Sequence, residues 1–143
     1  MINTYISAKH IFMTNEVRSR NMAAIKSKNT KPEIEVRKLL HSMGYRFRLH
    51  MKDLPGNPDI VLKKYKTVIF VNGCFWHRHP NCKYASIPKT RPEFWSQKFK
   101  SNVERDKNNY IKIKNLGWKY IVVWECELKN RSDLVEKLKF SLD

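Results

Sequence analysis

Residues 66–82 read KTVIFVNGCFWHRHPNC. After Lys66 come Thr67, Val68, Ile69, Phe70 and Val71, all β-branched or aromatic. Such a run has no polar face, so it predicts a central strand covered on both sides. Asn72-Gly73 then hands the chain to a loop holding Cys74, Cys82, His77, His79 and the adjacent Phe75-Trp76. Upstream, LPGNP at 54–58 is a turn on composition, and DIVL at 59–62 is a second short strand. YRFRL at 45–49 alternates, which predicts a strand with one wet face. Downstream, WKYIVVW at 118–124 is another buried strand.

Helical patterns flank these strands. Thr30-Lys31-Pro32-Glu33 is a capping-box signature with proline in the first turn. It opens a helix carrying Ile34, Val36, Leu39, Leu40 and Met43, stopped at Gly44. Thr90-Arg91-Pro92-Glu93 repeats the pattern and predicts a long basic helix to about Leu116, stopped at Gly117. Leu134, Leu138 and Leu142 give helical spacing over 133–142. The order is helix, three strands, loop, long helix, strand, helix. It predicts an α/β domain whose mixed central β-sheet is flanked by helices. Residues 1–17 show no clear period and read as a loose N-terminal arm, and RSRNMAAIKS at 18–27 suits a short basic helix. A single domain over 18–143 is expected.

Lys and Arg number 29 against 13 acids, a net charge of +16. So large a positive field attracts polyanions, nucleic acid first. No segment reads as a spanning or amphipathic membrane helix, so a membrane partner is not expected. Three cysteines in this composition do not make a disulfide framework. The opening MINTYISAKHIF lacks an apolar signal core, which leads to the expectation of a reducing cytoplasm.

Cys74, His79, Cys82 and Cys126 together form a Cys₃His set, a standard tetrahedral zinc donor group. His77 offers an alternative, and spacing alone leaves the two histidines open. The competing account is three buried thiols acting as small hydrophobes. A closed four-ligand site would hold the loop rather than do chemistry. Asp59 stands where a strand leaves a turn, and the run 67–71 carries the backbone near Val71 to the same sheet end. One carboxylate, a backbone carbonyl, waters and phosphate oxygens suit Mg²⁺. Glu33 and His77 are candidates to complete that site, His77 as activator of water. Glu33 is equally explained by the capping box.

Lys98, Lys100, Arg105, Lys107, Lys112 and Lys114 punctuate the long helix, with Asn102 and Asn108 between them. Phosphate contact and a solvated face compete as explanations. Phe75, Trp76 and Trp95 suit an apolar wedge between base pairs, against the alternative of packing over the loop.

Taken together, RSRNMAAIKSKNTKPE, LPGNPDI, VIFVNGCFWHRHPNC, RPEFW, NVERD and LGWKYIVVWEC resemble the very short patch repair (Vsr) DNA mismatch endonucleases over residues 18–128. The resemblance implies a restriction-endonuclease-like fold with a structural zinc site. It implies Mg²⁺-dependent nicking of one strand of double-stranded DNA, 5′ of a T mispaired with G, the product of 5-methylcytosine deamination. By the same resemblance Asp59 is the metal-binding catalytic acid, His77 the catalytic histidine and Glu33 the holder of metal-bound water. Val71 supplies a backbone carbonyl to magnesium, and Cys74, His79, Cys82 and Cys126 hold zinc. Phe75, Trp76 and Trp95 form the wedge, the helix around Met22 closes on the minor groove, and Asn102 touches phosphate. A monomer in the bacterial cytoplasm, associated with the nucleoid, is expected. Val71-Asn72 stands where the family pattern has Thr-His. A carbonyl ligand at Val71 survives that change, and a second catalytic histidine does not. The zinc loop is one residue longer, with Pro80-Asn81 before Cys82.

Overall fold

A computed structural model describes residues 28–143. The expected arm at 1–17, the helix at 18–27 and Met22 lie outside the described residues. Helix α1 spans Lys31–Ser42 and is followed by three strands, β1 (Arg48–Leu49), β2 (Ile60–Leu62) and β3 (Thr67–Asn72). The Cys/His loop leads into helix α2 (Pro92–Asn115), strand β4 (Lys119–Trp124), a 3₁₀ segment (Glu125–Lys129) and helix α3 (Arg131–Leu142). The sheet order is β1-β2-β3-β4. The first two pairings are antiparallel and β3 pairs with β4 in parallel, so the sheet is mixed as expected.

Alternation along the strands sorts the core into two layers. Ile60 and Leu62 of β2, Ile69 of β3 and Ile121 and Val123 of β4 pack against Val36, Leu39 and Leu40 of α1 and Leu134, Leu138 and Leu142 of α3. Val61, Val68 and Phe70 point the other way, onto Ile113 of α2 with Tyr110, Trp118 and Tyr120. Val68, Ile69 and Leu138 are wholly buried. Truncating Ile69 or Leu138 to alanine would cost about 2–5 kcal/mol in lost transfer energy and residual cavity.

The helix ends follow from local chemistry, with one correction. Thr30 caps α1, its hydroxyl accepting from the Glu33 N–H. Gly117, at φ +84°, lets the chain turn back after α2, and the Trp118 N–H then reaches the Ile113 carbonyl. Thr90, however, is not the cap of α2. Arg91 takes that position in the left-handed region, and no side chain caps the helix. Proline at the helix start supplies the preset φ in its place. The expected strand at 45–49 is also shorter, pairing only at Arg48 and Leu49. Its partner β2 starts at Ile60, just after Pro58, which has no N–H to donate to a ladder.

Candidate active site

The register of β2 on β3 decides where Asp59 goes. Ile60 opposes Ile69, and the Asp59 N–H continues the ladder onto the Ile69 carbonyl at 3.1 Å. The Asp59 side chain then meets the end of β3, where Oδ2 accepts the Val71 N–H at 2.7 Å. Burial pushes the Asp59 carboxyl up to about 7, raised further by Glu33 and opposed by the Val71 N–H. Glu33 comes from the first turn of α1 and is 3% exposed. Its carboxylate accepts the Asn29 N–H at 2.8 Å and an Arg37 N–H at 3.1 Å. Only half of a capping box is therefore present, because Glu33 reaches past Thr30 to Asn29. Two acids held together at the cost of a raised pKa are a group that a divalent cation would stabilise. The oxygen donors fit a hard ion.

A cleft of about 650 Å³ opens beside these acids. Glu33, Asp59, Val71, Trp76 and His77 line one side, and Lys98, Asn102, Arg105, Asp106 and Asn109 line the other. The spacing of the second group puts it on one face of α2. His77 Nδ1 lies 2.6 Å from Asp106 Oδ2. With Nδ1–H donated to that carboxylate, Nε2 keeps its lone pair for a water or a substrate proton. Asn72 is 4% exposed and donates its amide to the Tyr110 hydroxyl at 3.0 Å. Tyr110 is pushed up to about 12, mainly by burial, so it stays a neutral phenol at pH 7.

The Cys/His set converges at the other end of the loop. Ligand atoms of Cys74, His79, Cys82 and Cys126 lie within 4.8 Å of one another. His79 Nδ1 is 3.7 Å from Cys74 Sγ and 3.4 Å from Cys126 Sγ. Zn–S and Zn–N bonds at a tetrahedral angle put sulfur and nitrogen about 3.6 Å apart, so the spacing fits that geometry. Burial drives the Cys74 thiol up to about 12, raises Cys126 and lowers His79. Without a cation these groups are neutral, and a divalent metal would convert the thiols to thiolates. His79 stacks on Trp124 at 4.2 Å, which orients its ring toward the sulfurs. His77 faces Asp106 instead, so the geometry separates the two histidines that spacing left open.

The aromatic residues behave differently from expectation. Phe75 is wholly buried and Trp95 is 1% exposed. Phe75 packs edge-on against Trp95 and Phe99 at 5.6 and 5.2 Å. Arg78 stacks over Phe99 at 3.9 Å and donates to the carbonyls of Phe75, Ala85 and Ser86. The loop can turn inward because α2 supplies a ring pocket for it. Of the three expected wedge residues, only Trp76 is partly exposed and lines the cleft. Asn102 is 4% exposed and donates to the Trp76 carbonyl at 3.0 Å, so here it holds the loop. Of the six basic residues on α2, Lys98 and Arg105 line the cleft.

A family model described as DNA mismatch endonuclease Vsr matches residues 11–83, half of the chain. The chain belongs to the Vsr family. A type II nicking enzyme of Xanthomonas oryzae is 47% identical over 92% of this chain and 96% of its own length. A type II nicking enzyme of Neisseria meningitidis is 50% identical over 90% of each chain. The DNA mismatch endonuclease Vsr of Escherichia coli is 43% identical over 84% of this chain and 76% of its own length. As a Vsr-family protein the chain is a DNA endonuclease of mismatch repair. Among the described residues no helix is long and apolar enough to cross a membrane. Sequence reasoning passed over Asp106, Arg37, His50 and Arg78. Asp106 lies in NVERD, one helical turn after the cleft-lining Asn102, and that spacing is the signal for it.

Proposed function

We propose that this Vsr-family endonuclease nicks one strand of double-stranded DNA 5′ of a thymine mispaired with guanine, using Mg²⁺. The observation that carries the reading is the convergence of Asp59, Glu33 and the His77–Asp106 pair on one cleft walled by Lys98 and Arg105. Asp59, with the Val71 carbonyl, would hold the cation, and Glu33 would hold a water on it. A bound divalent cation supplies charge neutralisation and Lewis-acid polarisation at the scissile phosphate. His77 Nε2 takes the proton of the attacking water, and Asp106 keeps the ring in that tautomer and stabilises the imidazolium. Lys98 and Arg105 steer and hold the phosphate backbone. Asn102 acts by fixing the Trp76 carbonyl and presenting Arg105 beside the backbone.

Zinc at Cys74, His79, Cys82 and Cys126 would tie the loop to the end of β4. Trp76 would present the wedge to the mismatch, with Phe75 and Trp95 as its rigid backing. The segment around Met22 would contact the minor groove. A restriction-endonuclease-like fold, one domain over 18–143 and action as a monomer on the bacterial nucleoid, in the cytoplasm, complete the reading.

The burial of Phe75 and Trp95 favours one rival, the same nuclease chemistry without mismatch preference. Labelled duplexes carrying T:G, C:G or T:A at one position, with Mg²⁺ or with a chelator, test both. Nicking confined to T:G and abolished by chelation is expected. Equal nicking of all three would leave a nuclease without mismatch preference, and nicking in chelator would remove the metal from the mechanism.

A further inference from the structure

The chain leaves β1 at Leu49 and turns sharply at His50, whose φ is +48°. A histidine in the left-handed region is uncommon, and such strain persists where surrounding contacts fix the residue. The turn aims the ring at the two acids. His50 Nε2 is 3.6 Å from Glu33 Oε2, and ligand atoms of Glu33, His50 and Asp59 all lie within 4.8 Å of one another. Ligands about 2.1–2.2 Å from an octahedral ion stand roughly 3 Å apart when adjacent and 4.3 Å apart when opposite. The His50–Glu33 pair at 3.6 Å falls inside that span, and a small inward shift brings any pair near the 4.8 Å limit into it.

A second observation shows what the cluster is built to receive. Arg37 Nη2 sits among three acceptors, Asn29 Oδ1 at 2.9 Å, Glu33 Oε2 at 3.1 Å and His50 Nε2 at 3.2 Å. Guanidinium can only donate, so in this contact with Arg37 it is the Nδ1–H tautomer of His50 that leaves Nε2 to accept. That tautomer is the one a metal ion binds. Arg37 Nε is buried with no hydrogen-bond partner among the described residues. A single Arg37 nitrogen, with two hydrogens, thus faces three acceptors, without the paired fork that makes such contacts strong. The nitrogen is a cation that another cation can displace.

We propose that His50 Nε2 is a direct ligand of the divalent ion held by Asp59, making the cation site a mixed nitrogen–oxygen site that favours Mn²⁺ over Mg²⁺. The proposal rests on Asp59 being the metal-binding acid. His50 is not among the residues lining the cleft; it approaches Glu33 and Asp59 from the end of β1. Mg²⁺ strongly prefers oxygen, whereas imidazole suits the first-row transition ions. Arg37 would swing away on loading.

Pulsed electron paramagnetic resonance of Mn²⁺ bound to the full-length, zinc-loaded protein without DNA provides the test. The expected result is nitrogen modulation in the wild type that changes to the ¹⁵N pattern when histidine is ¹⁵N-labelled, and that disappears in His50→Gln. Titration should show His50→Gln weakening Mn²⁺ binding about tenfold or more while changing Mg²⁺ binding less than about threefold. Arg37→Gln should tighten Mn²⁺ binding. Histidine modulation absent from the wild type overturns the proposal without recourse to any variant. Modulation kept in His50→Gln but lost in His77→Ala also overturns it, since the nitrogen is then His77. Asp59→Asn separates the two claims: if it abolishes Mn²⁺ binding, the catalytic-acid reading stands whatever His50 does. If Asp59→Asn leaves Mn²⁺ binding unchanged, both fall together.

Discussion

Replacing Asp106 by alanine tests the chemistry of the cleft most directly. Its carboxylate lies 2.6 Å from His77 Nδ1, a charge-assisted contact held between the loop and α2. Such hydrogen bonds contribute about 1.5–3 kcal/mol. The interaction strengthens as His77 takes the proton, so its loss falls mainly on the transition state. At about 1.36 kcal/mol per decade this is roughly a 10- to 150-fold drop in the nicking rate. His77→Ala should cost more, about 10²–10⁴-fold, because it removes the base itself. The two residues act as a unit, so the double variant should be no slower than His77→Ala alone. Single-turnover nicking of a labelled mismatched duplex at saturating enzyme gives these rates free of binding effects, and gel shift confirms that affinity is kept. An Asp106→Ala rate within threefold of the wild type, or fully additive losses in the double variant, would refute the pair as the proton-handling group.

Metal analysis of the purified chain should find one zinc, and Cys126→Ser should lose it and lower the melting temperature, since metal binding couples to folding; a folded, active, zinc-free protein would exclude this site. Asp59→Asn should abolish nicking with duplex binding largely kept. With no cation at Asp59 the same change should stabilise. Asp59 is raised to about 7 from 3.8, so the native state holds a proton that the unfolded chain releases. Stability therefore falls as pH rises between those values, and the asparagine variant escapes the loss. Thermal melts of the zinc-loaded protein with no added Mg²⁺ should show the variant ahead at pH 8, by roughly 3–5 °C per kcal/mol; a variant less stable at pH 8 would contradict the buried-acid account. Trp76→Ala should weaken binding to a T:G duplex about tenfold or more and to a paired duplex much less, since base stacking contributes roughly 1–3 kcal/mol. Lys98→Ala should weaken both alike and flatten the salt dependence, and equal Trp76→Ala losses on the two duplexes would remove the wedge.

What the sequence disclosed, and what it hid, follow from how far each interaction reaches along the chain. The run at 67–71 declares its own burial, because five consecutive apolar-compatible residues have no face to give to water. Helices α1 and α2 announce their ends through proline and glycine, whose constraints are local. The convergence of Cys74, His79, Cys82 and Cys126 was legible because few uses other than metal binding bring three cysteines and a histidine together in a protein of this composition. The hidden features all pair residues that are far apart. Asp106 meets His77 across 29 positions, and His50 meets Arg37 across 13. Nothing local to Asp106, Arg37 or His50 names the partner each one meets. The aromatic loop shows the same limit with a consequence for recognition. Phe75 looks like a free wedge in GCFWH only until Phe99 and Trp95 are brought beneath it and Arg78 closes over Phe99. The rings that hold the loop cannot also leave it without cost. Freeing Phe75 would re-expose a full aromatic side chain, about 1.5–3 kcal/mol of lost burial. Trp76 also packs on Phe75 and Trp95, but it is partly exposed and already at the cleft, so it is the ring that a destabilised base step would meet first.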